Sequence, residues 1–320
     1  MTLDRSRNLK IVFMGTPDFA VAGLAKLIEN QYNVVGVITA PDRPAGRGRK
    51  VQESSVKKYA IEKGIRVLQP TNLKDEAFLN DLKALDANLQ IVVAFRMLPK
   101  VVWQMPAYGT FNLHASLLPQ YRGAAPINWA IINGEKITGV TTFFIDDKID
   151  TGEIILQEET TISSDETAGE LHDKLMYLGA DLILKTVDII EKGDVELAKQ
   201  TDNENLKSAH KIYRDTCKVD WTRPIHDIYN HIRGLSPYPT AWTTLVDGSN
   251  ESVIKLYSAA ILMEDHDHEL GKIVVDKRTI KIAVSEGYID LIEIQLPGKR
   301  KMKTSEVLNG FSISNEAYVR

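Results

Sequence analysis

Asn112, His114 and Asp150 are of the right chemical kinds to act together on a carbonyl group. Asn112 and His114 stand two apart at the end of a short apolar run, and on a strand that spacing puts both on one face. Pro119 and Gly123 then break regular structure into a loop. A neutral amide donor beside a titratable imidazole suits a reaction in which negative charge develops on a carbonyl oxygen. Asp150 sits in the turn Asp146-Asp147-Lys148-Ile149-Asp150-Thr151-Gly152, which follows a Thr-, Val- and Phe-rich segment. Brought within about 4–6 Å of His114, its carboxylate favours the imidazolium form. It can also order a water that relays a proton. No cysteine lies near and nothing pairs Ser116 with a base, so direct transfer between two bound substrates is favoured over a covalent intermediate. His114, Asp150 and one of Asp146 or Asp147 match no standard zinc spacing, so no metal is expected. The plain alternative is a buried polar pair at a strand end.

The elements that must position these side chains read as an α/β fold. Residues 9–14 form an apolar strand ending at Gly15. Thr16 is the expected cap of a helix with Pro17 in its first turn, Asp18 near its positive end, and Phe19, Leu24, Leu27 and Ile28 on its buried face. Residues 34–38 are the next strand, which completes a βαβ opening. Gly15-Thr16-Pro17-Asp18-Phe19 lacks the three-glycine dinucleotide pattern, so no nicotinamide cofactor is expected. The run 41–50 carries two prolines, two glycines and four positive side chains. It reads as a mobile basic loop, either a solvated surface loop or a clamp on phosphates. Helices are expected at 53–62 and 74–85, and strands at 65–68 and 90–95. Pro99 starts a short helix that points Val101, Val102 and Met105 inward. The strand 110–113 presents the site, followed by a helix at 124–132, strands at 139–145 and 154–156, and a long helix at 165–190. The pattern predicts an open, mainly parallel Rossmann-like sheet with helices on both faces, in a catalytic domain spanning residues 1–194. Asn112, His114 and Asp150 then lie at strand ends, where ligands of such sheets collect.

Hydrophobic density falls over 193–213, and residues 195–213 read as a linker. In the second domain, 214–320, Thr222 is the expected cap of a helix carrying Ile225, Ile228, Tyr229 and Ile232, ended by Gly234 and Pro237. Short β-patterned runs near 241–246, 252–258, 271–275, 279–284 and 288–295 predict a small OB-like β-barrel. From residue 215 onward there are 13 Lys/Arg against 15 Asp/Glu. Basic character is therefore local, notably at Lys299, Arg300, Lys301 and Lys303.

The 320 residues allow two domains, and 43% hydrophobic with 26% charged content is ordinary for a globular chain. A formal net charge of −4 gives no general affinity for phosphate backbones, although a local basic patch can act alone. The single cysteine, Cys217, excludes an internal disulfide and fits a reducing compartment. Without an apolar run of signal-peptide or membrane-spanning kind, the chain is expected to be cytoplasmic.

The set FMGTPDFA, PDRPAGRG, NLHASLLPQYRGAAPI and IDTGEI resembles the folate-dependent formyltransferases along essentially the whole chain. The resemblance implies a formyl donor, 10-formyltetrahydrofolate, and makes Asn112, His114 and Asp150 the catalytic trio. It also implies a folate pocket bordered by Phe95, Arg96, Met97, Leu98, Ser116, Leu117, Leu118, Pro119, Asp146 and Asp147. Two features are similar to the branch that formylates methionyl initiator tRNA: the basic loop and the C-terminal module with Trp221 and IRGLSPYPTAW. On that resemblance Arg43, Arg47, Arg49, Lys50 and Arg122 contact tRNA, with Lys299, Arg300, Lys301 and Lys303 from the second domain. A monomer without membrane contact is expected. The sequence departs from the family where Gln120 replaces a common basic residue. Arg96 and Met97 stand where Tyr-Gly is usual. The other enzyme class is a formyltransferase for a small amine, and the non-enzyme class is an RNA- or folate-binding protein.

Overall fold

A computed structural model describes residues 8–45, 50–201 and 205–320. The chain divides into two compact units, one built from residues up to Gly123, Thr138–Thr160 and His172–Ser208, the other from Ala124–Ile137, Thr161–Leu171 and Ala209–Arg320. In chain order the elements begin with β1 (Lys10–Gly15), α1 (Asp18–Glu29), β2 (Asn33–Ile38), β3 (Arg43–Ala45), β4 (Lys50–Gln52), α2 (Ser55–Glu62) and β5 (Val67–Leu68). They continue with α3 (Glu76–Ala84), β6 (Leu89–Val93), α4 (Lys100–Trp103), β7 (Thr110–His114), β8 (Arg122–Gly123), α5 (Pro126–Ile132), β9 (Ile137–Phe144), β10 (Ile154–Thr161), α6 (Ala168–Lys192) and β11 (Ser208–Ala209).

The first unit is organised by a sheet of order β10-β9-β7-β6-β1-β2-β5. Strands β5, β2, β1, β6 and β7 run parallel, and β9 pairs antiparallel with β7. Alternation along β1 separates two cores. Val12 and Met14 join Ile38, Val92, Phe78, Leu82, Leu98 and Val102 on one face. Phe13 faces α1 on the other, where Gly23 lets α1 approach α6 so closely that a Cβ there would lie 2.6 Å from Ile183. Gly179 in α6 sits equally close over Leu113 of β7. Helices therefore cover both faces, and the carboxyl ends of β1, β6 and β7 come into register through Gly15 opposite Val93 and Val93 opposite Leu113.

Several local expectations change. Thr16 does not cap α1; Pro17 holds the cap position in extended geometry, and the Asp18 carboxylate accepts from the Phe19 N–H. Val101 is exposed, because a four-residue α4 has room to bury only Val102. The basic run is not an irregular loop throughout, since β3 and β4 pair antiparallel and satisfy their backbone groups without entering a core. Residues 46–49, with Arg47 and Arg49, lie outside the described residues. Helix α6 starts at Ala168 because Thr167 and Glu170 form a reciprocal capping box there.

The second unit adds a single 3-10 turn (Asp215–Cys217), α7 (Ile225–Gly234), β12 (Ala241–Asp247), β13 (Asn250–Met263), β14 (Ile273–Val275), β15 (Ile280–Val284), β16 (Gly287–Gln295), β17 (Met302–Lys303), α8 (Thr304–Leu308) and β18 (Tyr318–Val319). Its sheet has the order β14-β15-β16-β13-β12-β18, with β17 on β16. Hydrogen bonds from Ile273 N–H to Ala317 C=O and from Val319 N–H to Gly271 C=O bring its two edges together, giving a nearly closed barrel. Strand β13 is longer than its alternation suggests because irregularities around Ser258 interrupt the period. Thr222 bonds back to Asp220 instead of capping α7, whose cap position is Pro224. Trp221 is buried in the barrel core and donates to the Thr243 hydroxyl at 2.9 Å.

One barrel residue sets a pH-dependent stability. Asp290 keeps a carboxylate oxygen buried with no hydrogen-bond partner among the described residues. Burial pushes its carboxyl above the ordinary range, opposed by Lys281 and reinforced by Asp276. A carboxyl raised in this way favours the folded chain while protonated, and that contribution is lost as pH rises through the folded-state value. Asp290→Asn is expected to raise the urea midpoint at neutral pH, with the gain fading in acid where the carboxyl is protonated in both states. An equal gain at both pH values contradicts this account.

Candidate active site

Asn112 and His114 leave the end of β7 on one face, opposite Phe143 and Thr141 of β9. His114 is buried, with 6% of its surface exposed, and its ring is held by a hydrogen bond of 2.8 Å between Nε2 and the Tyr121 carbonyl oxygen. A carbonyl only accepts, so Nε2 carries a proton and Nδ1 is the atom left to face the remaining partner. That partner is Asp150, whose Oδ2 lies 3.8 Å from Nδ1. The same oxygen accepts from the Gly123 N–H at 3.0 Å. The structure thus brings His114 and Asp150 together, with Asn112 two residues before His114 on the same strand. The Asn112 amide makes no hydrogen bond to a described residue, which leaves its donors for a substrate oxygen.

The loop after His114 is pinned from beneath. The Ser116 hydroxyl donates to the Gln120 carbonyl at 2.6 Å, and Thr141 donates to the Ser116 carbonyl while accepting from the Leu118 N–H. Gln157 donates to the Leu118 carbonyl and to the Thr141 hydroxyl. Ser116 is fully buried, so its hydroxyl shapes the loop and cannot attack a substrate. Leu118 is buried, and Leu117 and Pro119 are half-buried. Gln120, the departure from a basic residue, accepts from the Lys207 N–H at 2.8 Å.

The loop after β6 holds the other expected folate residues. Leu98 is buried, Phe95 packs against the same core and Met97 is 66% exposed. Arg96 donates to the Thr71 carbonyl at 2.9 Å and to the Pro70 carbonyl, and its Nε is buried without a partner among the described residues. Burial, then the charge of Arg43, pulls this guanidinium below its ordinary value. Asp146 closes its own turn by accepting from Lys148 N–H and the Thr151 hydroxyl, while exposed Asp147 pairs with Lys100 at 3.5 Å.

The expected tRNA residues fall into separate groups. Arg43 is exposed on β3, and the backbone of Lys50 opens β4. Arg122 is half-buried and donates through two nitrogens to Gln200. In the second unit Lys299, Arg300, Lys301 and Lys303 are exposed, with Lys301 paired to Glu293 and lying over the Tyr257 ring. Sequence reasoning missed a cation–aromatic surface in that unit, where Arg214 and Lys218 lie 5.5 and 5.8 Å from the Trp242 ring centre. It also missed Tyr121 and Gln200. Both act through main-chain carbonyls, which leave no signature in side-chain type.

The first unit is a Rossmann-like α/β fold in which His114, at the end of β7, is paired with Asp150. The chain belongs to the formyl transferase family, whose model matches residues 9–187, with the family's C-terminal domain matching 211–312. A Flavobacterium johnsoniae protein named methionyl-tRNA formyltransferase is 60% identical over 312 residues, covering 98% of this chain and 99% of its own. A Bacteroides thetaiotaomicron protein of the same name is 52% identical over 316 residues, covering 97% and 98%. Among solved structures, a sugar 3N-formyl transferase, WlaRD, shares the fold at a TM-score of 0.64 and 21% identity, covering 92% of this chain and 100% of that one.

Gly152 tests the packing of the Asp150 turn. A Cβ at this position is driven into the Phe144 carbonyl oxygen and crowds Phe143. Gly152→Ala is expected to cost about 1–3 kcal/mol in urea unfolding at unchanged m-value, the usual range for overpacking. It should also slow turnover by shifting Asp150, and a parent-like rate and midpoint contradict the packing described.

Proposed function

We propose that this protein transfers the formyl group of 10-formyltetrahydrofolate to the α-amine of methionyl initiator tRNA. The observation that carries the reading is the pairing of a free Asn112 amide with a His114 ring whose Nδ1 faces Asp150 at 3.8 Å. The names and near-complete coverage of the relatives support it. The folate donor fits a site with two hydrogen-bonding side chains two residues apart on one strand, and loops that carry the buried apolar Leu98 and Leu118. When bound, it supplies a formyl group on nitrogen, ready for attack by an amine.

The chain's own residues then do three things. Asn112 through its amide, and His114 through a proton on Nδ1, the ring nitrogen not held by Tyr121, stabilise negative charge developing on the oxygen of the transferred group, in a site where fixed donors need no reorganisation. Asp150 balances charge on His114 and relays the proton released by the attacking amine to the folate nitrogen, whose bond to the formyl carbon breaks as tetrahydrofolate leaves. The loops at 95–98, 116–119 and 146–147 border the folate and exclude water. Residues 1–194 act as the catalytic domain, 195–213 as the connection, and 214–320 as the tRNA-binding domain. In this reading Arg43, Arg47, Arg49, Lys50 and Arg122 meet the acceptor stem. Lys299, Arg300, Lys301, Lys303 and the Arg214–Trp242–Lys218 cluster meet its backbone, since cations interleaved with aromatic faces suit nucleic acid. The protein acts as a cytoplasmic monomer.

The test is single-turnover formylation with methionyl initiator tRNA, methionyl elongator tRNA, glycinamide ribonucleotide and an amino-sugar nucleotide as acceptors. Strong preference for the first is expected; transfer to a small amine with tRNA ignored contradicts the assignment. His114→Ala should lower the rate on the preferred acceptor by about 10²–10³-fold, the usual loss for one oxyanion donor, with tRNA affinity retained. A near-normal rate removes His114 from its role.

A further inference from the structure

Gln200 lies in the stretch that the sequence marks as a connection, yet its side-chain amide is saturated with hydrogen bonds to the catalytic unit. Nε2 donates to the Asp150 carbonyl at 3.0 Å and to the Gly152 carbonyl at 2.8 Å. Oε1 accepts from Arg122 Nε at 3.0 Å and from a terminal Arg122 nitrogen at 2.8 Å. An amide offers two donor hydrogens and two acceptor lone pairs, and all four are used here. The two carbonyls flank Thr151 in the turn where Asp150 adopts φ +55°. Arg122 directly precedes Gly123, whose N–H binds the Asp150 carboxylate.

Gln200 therefore grips the Asp150 carboxylate's surroundings twice, through the backbone that bears it and through the segment that donates to it. Its own placement is fixed close by, where Ala198 and Ile154 exchange both backbone hydrogen bonds at 2.8 and 3.0 Å. Lys207, further along the same stretch, accepts from the Tyr121 N–H at 2.6 Å, and the Tyr121 carbonyl is the group that orients His114. The nominal connection thus reaches both members of the His114–Asp150 pair.

We propose that Gln200 is a positioning residue for the transfer step, setting the Asp150 carboxylate against His114 without touching either substrate. The inference rests on the reading of Asp150 as catalytic. Glutamine is specifically suited to the place. Glutamate keeps the size and the Arg122 contact but turns an oxygen toward two carbonyl oxygens, and alanine removes the side chain that both carbonyls and Arg122 bond.

The experiment measures single-turnover formylation at saturating substrates, with KM for each, on full-length Gln200→Ala, Gln200→Glu, Asp150→Asn and the double variant Gln200→Ala/Asp150→Asn. Circular dichroism melts ensure that each is compared while folded. Gln200→Ala is expected to slow transfer by about 10–100-fold with both KM values within about threefold, as for a misplaced catalytic group. Gln200→Glu should be at least as slow despite retaining Arg122. In the Asp150→Asn background the alanine should add little, because residues that act through one another are not additive. A Gln200→Ala rate within about twofold of the parent, or the same loss in both backgrounds, overturns the proposal. A parent-like Asp150→Asn enzyme overturns instead the reading beneath it.

Discussion

The site depends on the hydrogen bond between His114 Nε2 and the Tyr121 carbonyl. It assigns the proton on one ring nitrogen and thereby dedicates the other, Nδ1, to the side where Asp150 lies. The bond exists because the loop from 115 to 121 folds back under its own strand. Tyr121 adopts φ +60° there and is tied to the Lys207 carbonyl. Ala94 at φ +48° and Asp150 at φ +55° are two further non-glycine residues in left-handed conformations within the loops that frame the site. Each conformation costs on the order of 1–3 kcal/mol and persists only where surrounding contacts over-determine it. The Ser116–Thr141–Gln157 network and the four-fold engagement of Gln200 are contacts of that kind.

The sheet converts these local constraints into a shared geometry. Parallel pairing of β1, β6 and β7 aligns three carboxyl ends, and the turn that follows the antiparallel β9 brings Asp150 to within 3.8 Å of His114. Glycines at 23 and 179 let α1 and α6 close over one face without displacing the strands. Rigid elements thus hold the donors, while the loops around them carry left-handed residues at Ala94, Tyr121 and Asp150. Such preorganisation suits a reaction whose main requirement is stabilising developing charge.

Much of this was legible in the residues. The approach of Asp150, in the turn after 145, to His114 was foreseeable because that contact is made by side chains of distinctive type. The α/β alternation was equally plain, since apolar periodicity switches cleanly between strand and helix. Three kinds of feature were not legible. Gln200 and Tyr121 act on or through main-chain carbonyls, which any residue type carries. The caps expected at Thr16 and Thr222 gave way to Pro17 and Pro224, whose fixed φ suits the cap position without a side-chain bond. The full length of β13 was hidden by the irregularity near Ser258, which shifts the alternation by which a strand is recognised.

The most direct test of the central constraint is the ¹⁵N NMR signature of the His114 imidazole in the full-length protein with labelled histidine. A carbonyl partner at Nε2 requires the proton of the neutral ring to reside on that nitrogen. A neutral ring found as the Nδ1–H tautomer, with Nε2 bare, would contradict the orientation on which the whole site is built.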